Sequence, residues 1–383
     1  MMHRSATRRR LALPPVIGLV LLFGCSSRQT CAPSNTTRVR ETVRKATEIP
    51  PEIVPEPIDP PKTPKSVLAL SGGGMYGAYT AGFLAGWTKT GTRPQFDVVT
   101  GVSTGSLIAT VAFLGPEYDD AAREFYTAIR SADIYTNRLW VLIPGAGSVA
   151  SSEPLRKLIG AVVDDKLIAH VAAQHRRGRR LYVGTTSLET RKLIVWDMGA
   201  IATRGGAESV EHFRQVLLAS CSVPGMLPAV PLKFVRNGKE IEELHIDGGA
   251  AAQLFLPPGT LANKPDGSPS ETDLYIIVAG KLFADQGPVR PRILPVVGAA
   301  AASILYSHCR AEISTLYYQA RLTGGNFNLT ALPDSDNGQP LGLSFDPKEM
   351  ARLYEVGYCH GIGGPAWITA PPFEHAATDP PRQ

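Results

Sequence analysis

Cysteine is scarce in this chain: five in 383 residues, at Cys25, Cys31, Cys221, Cys309 and Cys359. None stands at metal-ligand spacing with His170, His175, His212 or His245, and no HExxH occurs, so no metal site is expected. Long apolar runs are missing too. The run from Leu11 to Phe23 is interrupted by Pro14 and Pro15, and it falls short of the roughly 20 residues needed to cross a bilayer. Excess charge of one sign is small, with 39 Lys and Arg against 34 Asp and Glu, a formal net charge of +5. Nothing in that balance argues for nucleic-acid binding. No internal repeat is present.

What basic excess exists is concentrated at the start. Arg4, Arg8, Arg9 and Arg10 precede the Leu11–Phe23 run, which is the build of a secretory signal. Thr7 to Leu11 bears a loose likeness to a twin-arginine export signal. The ending Leu22-Phe23-Gly24-Cys25 resembles a bacterial lipobox, which implies a signal peptide over 1–24 and lipid modification of Cys25. Cleavage there removes four arginines and no acid, so +5 becomes +1. Residues 25–65 then read as a tether, dense in proline from Pro50 to Lys65, with a folded domain over 66–363 and a proline-rich tail over 364–383. The expected location is the bacterial cell envelope, lipid-anchored at the outer membrane.

Chemistry is suggested by two glycine-bearing turns. SGGGMYG (Ser71 to Gly77) follows the apolar run SVLAL, and GVSTG (Gly101 to Gly105) follows FDVV, so each reads as a strand feeding a helix. A serine on such an elbow is presented to substrate while nearby amides face a developing oxyanion, which makes Ser103 a candidate nucleophile. Each motif alone has a plain alternative, an N-cap for Ser103 and a flexible turn or phosphate cradle for Gly72 to Gly74. A P-loop would need GK[ST], where the chain has Met75, Tyr76 and Gly77. Gly72, Gly74 and Gly77 fit GxGxxG formally, but the nearest acid, Asp97, begins the second strand instead of ending it, and no cofactor is expected. A third segment, ELHIDGGA (Glu243 to Ala250), puts Asp247 at a strand end before two glycines. A carboxylate there either caps a turn or faces the same sheet edge as Ser103.

In that order, a glycine triplet, GxSxG and a late Asp-Gly-Gly resemble the signature of patatin-like phospholipases. The block LASCSVPGMLPAV (Leu218 to Val230) resembles the family's segment between nucleophile and aspartate. The resemblance implies an α/β fold, three-layer α/β/α with a mainly parallel central sheet. It also implies a serine acyl hydrolase of the lipase or phospholipase A type acting on lipid or other carboxylic esters. Ser103 is then the nucleophile, Asp247 its general base, and the amides of Gly72, Gly73 and Gly74 the oxyanion hole. Direct proton transfer to a carboxylate requires partial desolvation of Asp247. The family usually has Arg or Lys where this chain has Tyr76, which bears on loop geometry and head-group preference.

Two other readings stay open. One is a Ser-Asp-His esterase, for which His308, His360 and His375 are the histidines after Asp247. His308 and His360 lie in helical patterns, where a packing or dipole-compensating role is the commoner one. The other is a catalytically weak lipoprotein that keeps the fold and binds a partner. Strand-like runs (SVLAL, FDVVT, RLYVGTTSL, KLIVWDM, LYIIVAG) alternate with helical patterns at 76–87, 104–113, 119–130, 208–219 and 348–358. The basic cluster Arg176 to Arg180 reads as a solvated loop, with contact to anionic head groups as an alternative. Leu139, Trp140, Val141 and Leu142 are either lid or core. Cys309 with Cys359 is the disulfide to test first.

Overall fold

The five apolar runs become strands of one sheet in the computed structural model, which describes residues 64–137, 148–236, 239–264, 266–285, 287–336, 344–364 and 366–373. In chain order the strands are β1 (Ser66–Leu70), β2 (Val98–Val102), a two-residue pair β3 (Thr136–Asn137) and β4 (Ala150–Ser151), β5 (Arg180–Ser187), β6 (Leu193–Asp197), β7 (Val230–Arg236), β8 (Lys239–Asp247), β9 (Asp273–Val278) and β10 (Asn326–Ala331). Eight of them form the sheet β10-β9-β1-β2-β5-β8-β7, with β6 on the remaining edge of β5. The strands from β10 through β5 run parallel, whereas β6, β8 and β7 are antiparallel to their neighbours. The sheet is therefore mixed. The β7–β8 hairpin lies in a charged stretch that gives little apolar alternation.

The helices are α1 (Gly77–Lys89), α2 (Thr104–Leu114), α3 (Asp119–Ala128), α4 (Ser131–Ile134), α5 (Glu153–Val162), α6 (Asp165–Arg176), α7 (Met198–Arg204), α8 (Gly206–Ser220), α9 (Ile293–Leu322) and α10 (Pro347–Ile362). They cover both faces, so a central strand such as β1 is buried throughout and reads as an unbroken apolar run. Leu68 and Leu70 face one core with α1, α2, α8 and α10, while Val67 and Ala69 face a second core with α9. Cys309 lies in the second core and Cys359 on α10, against the opposite face. Both are free thiols, as is Cys221, and the expected Cys309–Cys359 bridge does not form.

The helix that carries the glycine loop is held by unusually close packing. A methyl group on Gly82 or Gly86 of α1 would run into the carbonyl of Tyr354 or Tyr358 of α10, and one on Gly357 or Gly361 into that of Tyr79 or Phe83. Helix α10 is set in place by Pro347 in its first turn and by Asp346, whose carboxylate accepts the Lys348 and Glu349 amides.

Candidate active site

The meeting of Ser103 and Asp247 follows from strand register. Strand β2 runs parallel to β5 and stops at Val102 opposite Gly184. Strand β6 occupies the other edge of β5 over Tyr182 to Thr186. Strand β8, which pairs with Thr185 to Ser187, therefore takes up the β2 edge where β2 ends, and its last residue, Asp247, lies opposite Thr185. Two strands thus arrive tip to tip on one edge from opposite directions. The residue after one tip is the serine, the residue at the other is the aspartate, and the serine hydroxyl stands near enough to the carboxyl to favour its ionised form.

Ser103 sits at a sharp elbow with φ 52° and ψ −133°, a left-handed conformation that costs a non-glycine residue about 1–3 kcal/mol. Such strain persists where surrounding bonds over-determine it. Here the segment Ser220 to Ser222 supplies them. The Ser103 amide donates to Ser220 Oγ at 3.0 Å, and Ser220 Oγ donates to the Gly184 carbonyl at 2.8 Å. The Ser103 carbonyl accepts from Ser106 Oγ at 2.7 Å and from Cys221 Sγ at 3.3 Å, whose thiol burial keeps protonated. The next residue, Ser222, accepts the Asp247 amide at 2.9 Å. Three consecutive residues of the Leu218–Val230 block thus hold both partners. The block stands out in the sequence, but these roles do not, because they arise from contacts 25 to 118 positions apart.

Asp247 is buried, and desolvation pushes its carboxyl up to about 6; the nearby Ser103 hydroxyl and the hydrogen bond from the Gly249 amide, at 2.8 Å, oppose the rise. A carboxylate of that basicity takes a hydroxyl proton more readily than an exposed one. The loop after it is anchored by Glu312 of α9, which accepts the amides of Gln253 and Leu254 at 2.9 Å each and is itself raised by burial to about 7.

The glycine loop lies directly beside the elbow. A methyl group on Gly72 would stand 3.0 Å from Ser103 Cβ, and one on Gly73 would strike the Ala279 carbonyl. Gly74 has φ 56°, a conformation natural to glycine. Ser71 Oγ donates to the Gly72 carbonyl at 2.9 Å and accepts the Ala279 amide at 2.9 Å, fixing the loop to the sheet. Tyr76 is buried, and burial raises its hydroxyl to about 12, so the position carries no charge at neutral pH. Helix α2 begins directly after Ser103, which places its N-terminal dipole at the nucleophile.

A small apolar pocket of about 60 Å³ opens onto Ser103 and Gly74 and is lined by Leu107, Phe125, Met226 and Met350. A second, of about 40 Å³, shares Leu107, Phe125 and Tyr126 with the first and continues toward α5 and α6. Both are apolar, and the first begins at the serine.

Other expected residues lie elsewhere. His308 pairs with Glu312 at 3.8 Å, and His360 faces the Tyr79 hydroxyl at 3.3 Å. Arg179 is buried, donating to the Phe96 carbonyl at 2.7 Å with its guanidinium 4.6 Å from the Phe113 ring. It precedes β5, at the sheet edge opposite Ser103, and is a packing element there. Cys25, the tether and Leu139 to Leu142 lie outside the described residues. Among the described residues, no group of three His, Cys, Asp or Glu is placed to hold a metal ion.

A family model described as patatin-like phospholipase matches residues 68–258, a span that contains both glycine turns, the Ser220–Ser222 clamp and Asp247. The chain belongs to the patatin-like phospholipase family. As a member of it, the chain is a lipid ester hydrolase by class. Solved structures similar to this patatin-like chain include VipD from Legionella pneumophila, at 15% identity and TM-score 0.34 over 83% of this chain and 72% of that one. The type III effector protein ExoU is similar at 15% identity and TM-score 0.36, over 80% of this chain and 53% of that one. Human GIVD cytosolic phospholipase A2 is similar at 10% identity and TM-score 0.39, over 86% and 64%. The patatin-like chain thus spans less than two thirds of the last two. No curated protein matches it by sequence.

Proposed function

We infer that this chain is a membrane-tethered serine acyl hydrolase that cleaves lipid carboxylic esters through an acyl-enzyme on Ser103. The observation that carries the reading is the convergence, by strand register, of Ser103 with a buried Asp247 whose carboxyl is raised to about 6. Asp247 takes the Ser103 proton as Oγ bonds to the ester carbonyl carbon. The resulting oxyanion is stabilised by the amides of Gly72, Gly73 and Gly74 and by the start of α2. Collapse expels the alcohol, which leaves with the proton from Asp247, and the acyl chain rests in the apolar pocket. Water, deprotonated by the same carboxylate, then releases the acid and restores Ser103.

Lipid modification of Cys25, with residues 26–65 as spacer, would hold this domain at the outer membrane of a bacterial envelope. The triad alternative is disfavoured by the partners of its two described histidines, Glu312 for His308 and the Tyr79 hydroxyl for His360. Hydrolysis of short p-nitrophenyl esters tests the reading: it is abolished in Ser103→Ala and in Asp247→Ala, and largely kept in His308→Ala and His360→Ala. Persistence in Asp247→Ala with loss in His308→Ala or His360→Ala would move the chain to the triad class. No hydrolysis by the parent would favour the partner-binding lipoprotein.

A further inference from the structure

Helix α9 is 30 residues long, but only its C-terminal half packs on the sheet, through Cys309, Ile313, Leu316 and Ala320. From Ile293 to Ser307 its described side chains include no buried residue, although the sequence there is almost wholly apolar. Ile293 is 82% exposed, Ile304 68% and Val297 59%. Phe283 and Val289, in the segment leading to the helix, are exposed as well. An arm of about 22 Å thus presents aliphatic side chains to solvent without covering any core.

Three further facts say what it fits. No acid occurs between Gln286 and Ala311, whereas Arg290, Arg292 and Arg310 do, and Arg290 and Arg292 are exposed at the base of the apolar arm. Apolar side chains flanked by arginine complement a bilayer surface with anionic head groups. No described helix is long and apolar enough to cross a membrane, so the match is to lying at the interface. Finally, the arm is beside the reaction site. Tyr306 stands close enough to Tyr76 of the glycine loop for the two hydroxyls to interact electrostatically, and Glu312, two turns further on, holds the loop that follows Asp247.

We propose that the N-terminal half of α9, with Arg290 and Arg292, is a docking element for an anionic lipid surface that brings the mouth of the Ser103 pocket to its substrate. The choice of lipid over a second copy of the chain rests on the lipid ester hydrolase reading and on the arginine flank. An isologous dimer would set those like charges against each other or leave them unmatched.

The test uses the full chain carrying Cys25→Ala, so that no N-terminal acyl group contributes, against the same chain with Val297→Asp and Ile304→Asp. Both positions are exposed and outside the catalytic machinery, and unchanged circular dichroism and melting check the fold. Co-sedimentation with phosphatidylcholine vesicles, with and without phosphatidylglycerol, should show binding that needs the anionic lipid, weakens with salt, and falls about tenfold or more in the double variant. Arg290→Glu with Arg292→Glu should remove the preference for phosphatidylglycerol. Hydrolysis of a water-soluble ester stays unchanged in both variants, while hydrolysis of vesicle lipid falls with binding. Equal vesicle binding by parent and Asp variant overturns the proposal. So does a parent that light scattering finds dimeric and the Asp variant monomeric, with vesicle binding unaltered. Vesicle binding without any ester hydrolysis would leave the docking element standing and refute the hydrolase reading instead.

Discussion

Asp247→Asn should make the protein more stable while removing its activity. In the fold the carboxyl is buried and raised from 3.8 to about 6. At about 1.4 kcal/mol per pH unit, holding the ionised form there costs roughly 3 kcal/mol of stability. Asparagine keeps the shape and the acceptor for the Gly249 amide but carries no charge. Its amide hydrogens need partners in a buried setting, which returns about 1 kcal/mol, leaving a net gain of about 2 kcal/mol. For a domain of this size that corresponds to a melting temperature about 3 °C higher. The sign with pH is fixed by the raised value. Below 3.8 the carboxyl is protonated in folded and unfolded chains alike and no penalty exists; the penalty grows between 3.8 and about 6 and is complete above it. Differential scanning calorimetry of parent and variant at about pH 4 and about pH 8 should therefore show coincident melting in acid and a separation in mild alkali. A variant that melts no higher than the parent at the upper pH, or by the same margin at both, would refute the buried, costly carboxylate.

The pH dependence of kcat/KM should rise through about 6, as Asp247 becomes available to accept a proton, and stay level above; a midpoint near 4 would point to a solvated carboxylate. Ser220→Ala removes the acceptor of the Ser103 amide, and kcat should fall about tenfold with KM little changed, as expected of a group that positions the nucleophile without touching substrate. Recovery in Ser220→Thr would support the hydroxyl as the acting group, and a matching loss of melting temperature would reduce the effect to stability. Gly357→Ala should destabilise by about 2 kcal/mol or more despite alanine's higher helix propensity, because the added methyl meets the Tyr79 backbone carbonyl; denaturant unfolding that shows a gain would contradict the close α1–α10 packing.

The parts of this protein legible in its sequence are those written in short-range pattern. SVLAL, FDVVT and LYIIVAG are unbroken apolar runs because their strands are covered on both faces, and each glycine turn directly follows its strand. Ser103, Asp247 and the loop Gly72 to Gly74 could be singled out for that reason. Their convergence could not be derived from pattern alone, since it depends on β2 and β8 sharing one edge of β5 while β6 holds the other. The β7–β8 hairpin is obscured by its charges, Lys233, Arg236, Lys239, Glu240, Glu242 and Glu243 among them. Gly82, Gly86, Gly357 and Gly361 read as weak points of helices until the facing backbone is seen. Arg179 sits in a run that looks solvated, yet its guanidinium is buried over Phe113. The alanine-rich stretch is legible as a helix, but nothing in its composition tells that half of it stands clear of the core.

The central claim is that Ser103 is the acylated residue, activated by Asp247 alone. Reaction of the purified chain with a fluorophosphonate, digestion, and mass spectrometry of the modified peptide test it most directly. The account predicts one phosphonylated site, Ser103, with labelling strongly slowed in Asp247→Asn and unaffected in His308→Ala or His360→Ala. An adduct on another residue, or labelling of Ser103 that proceeds unchanged without the Asp247 carboxylate, would contradict it.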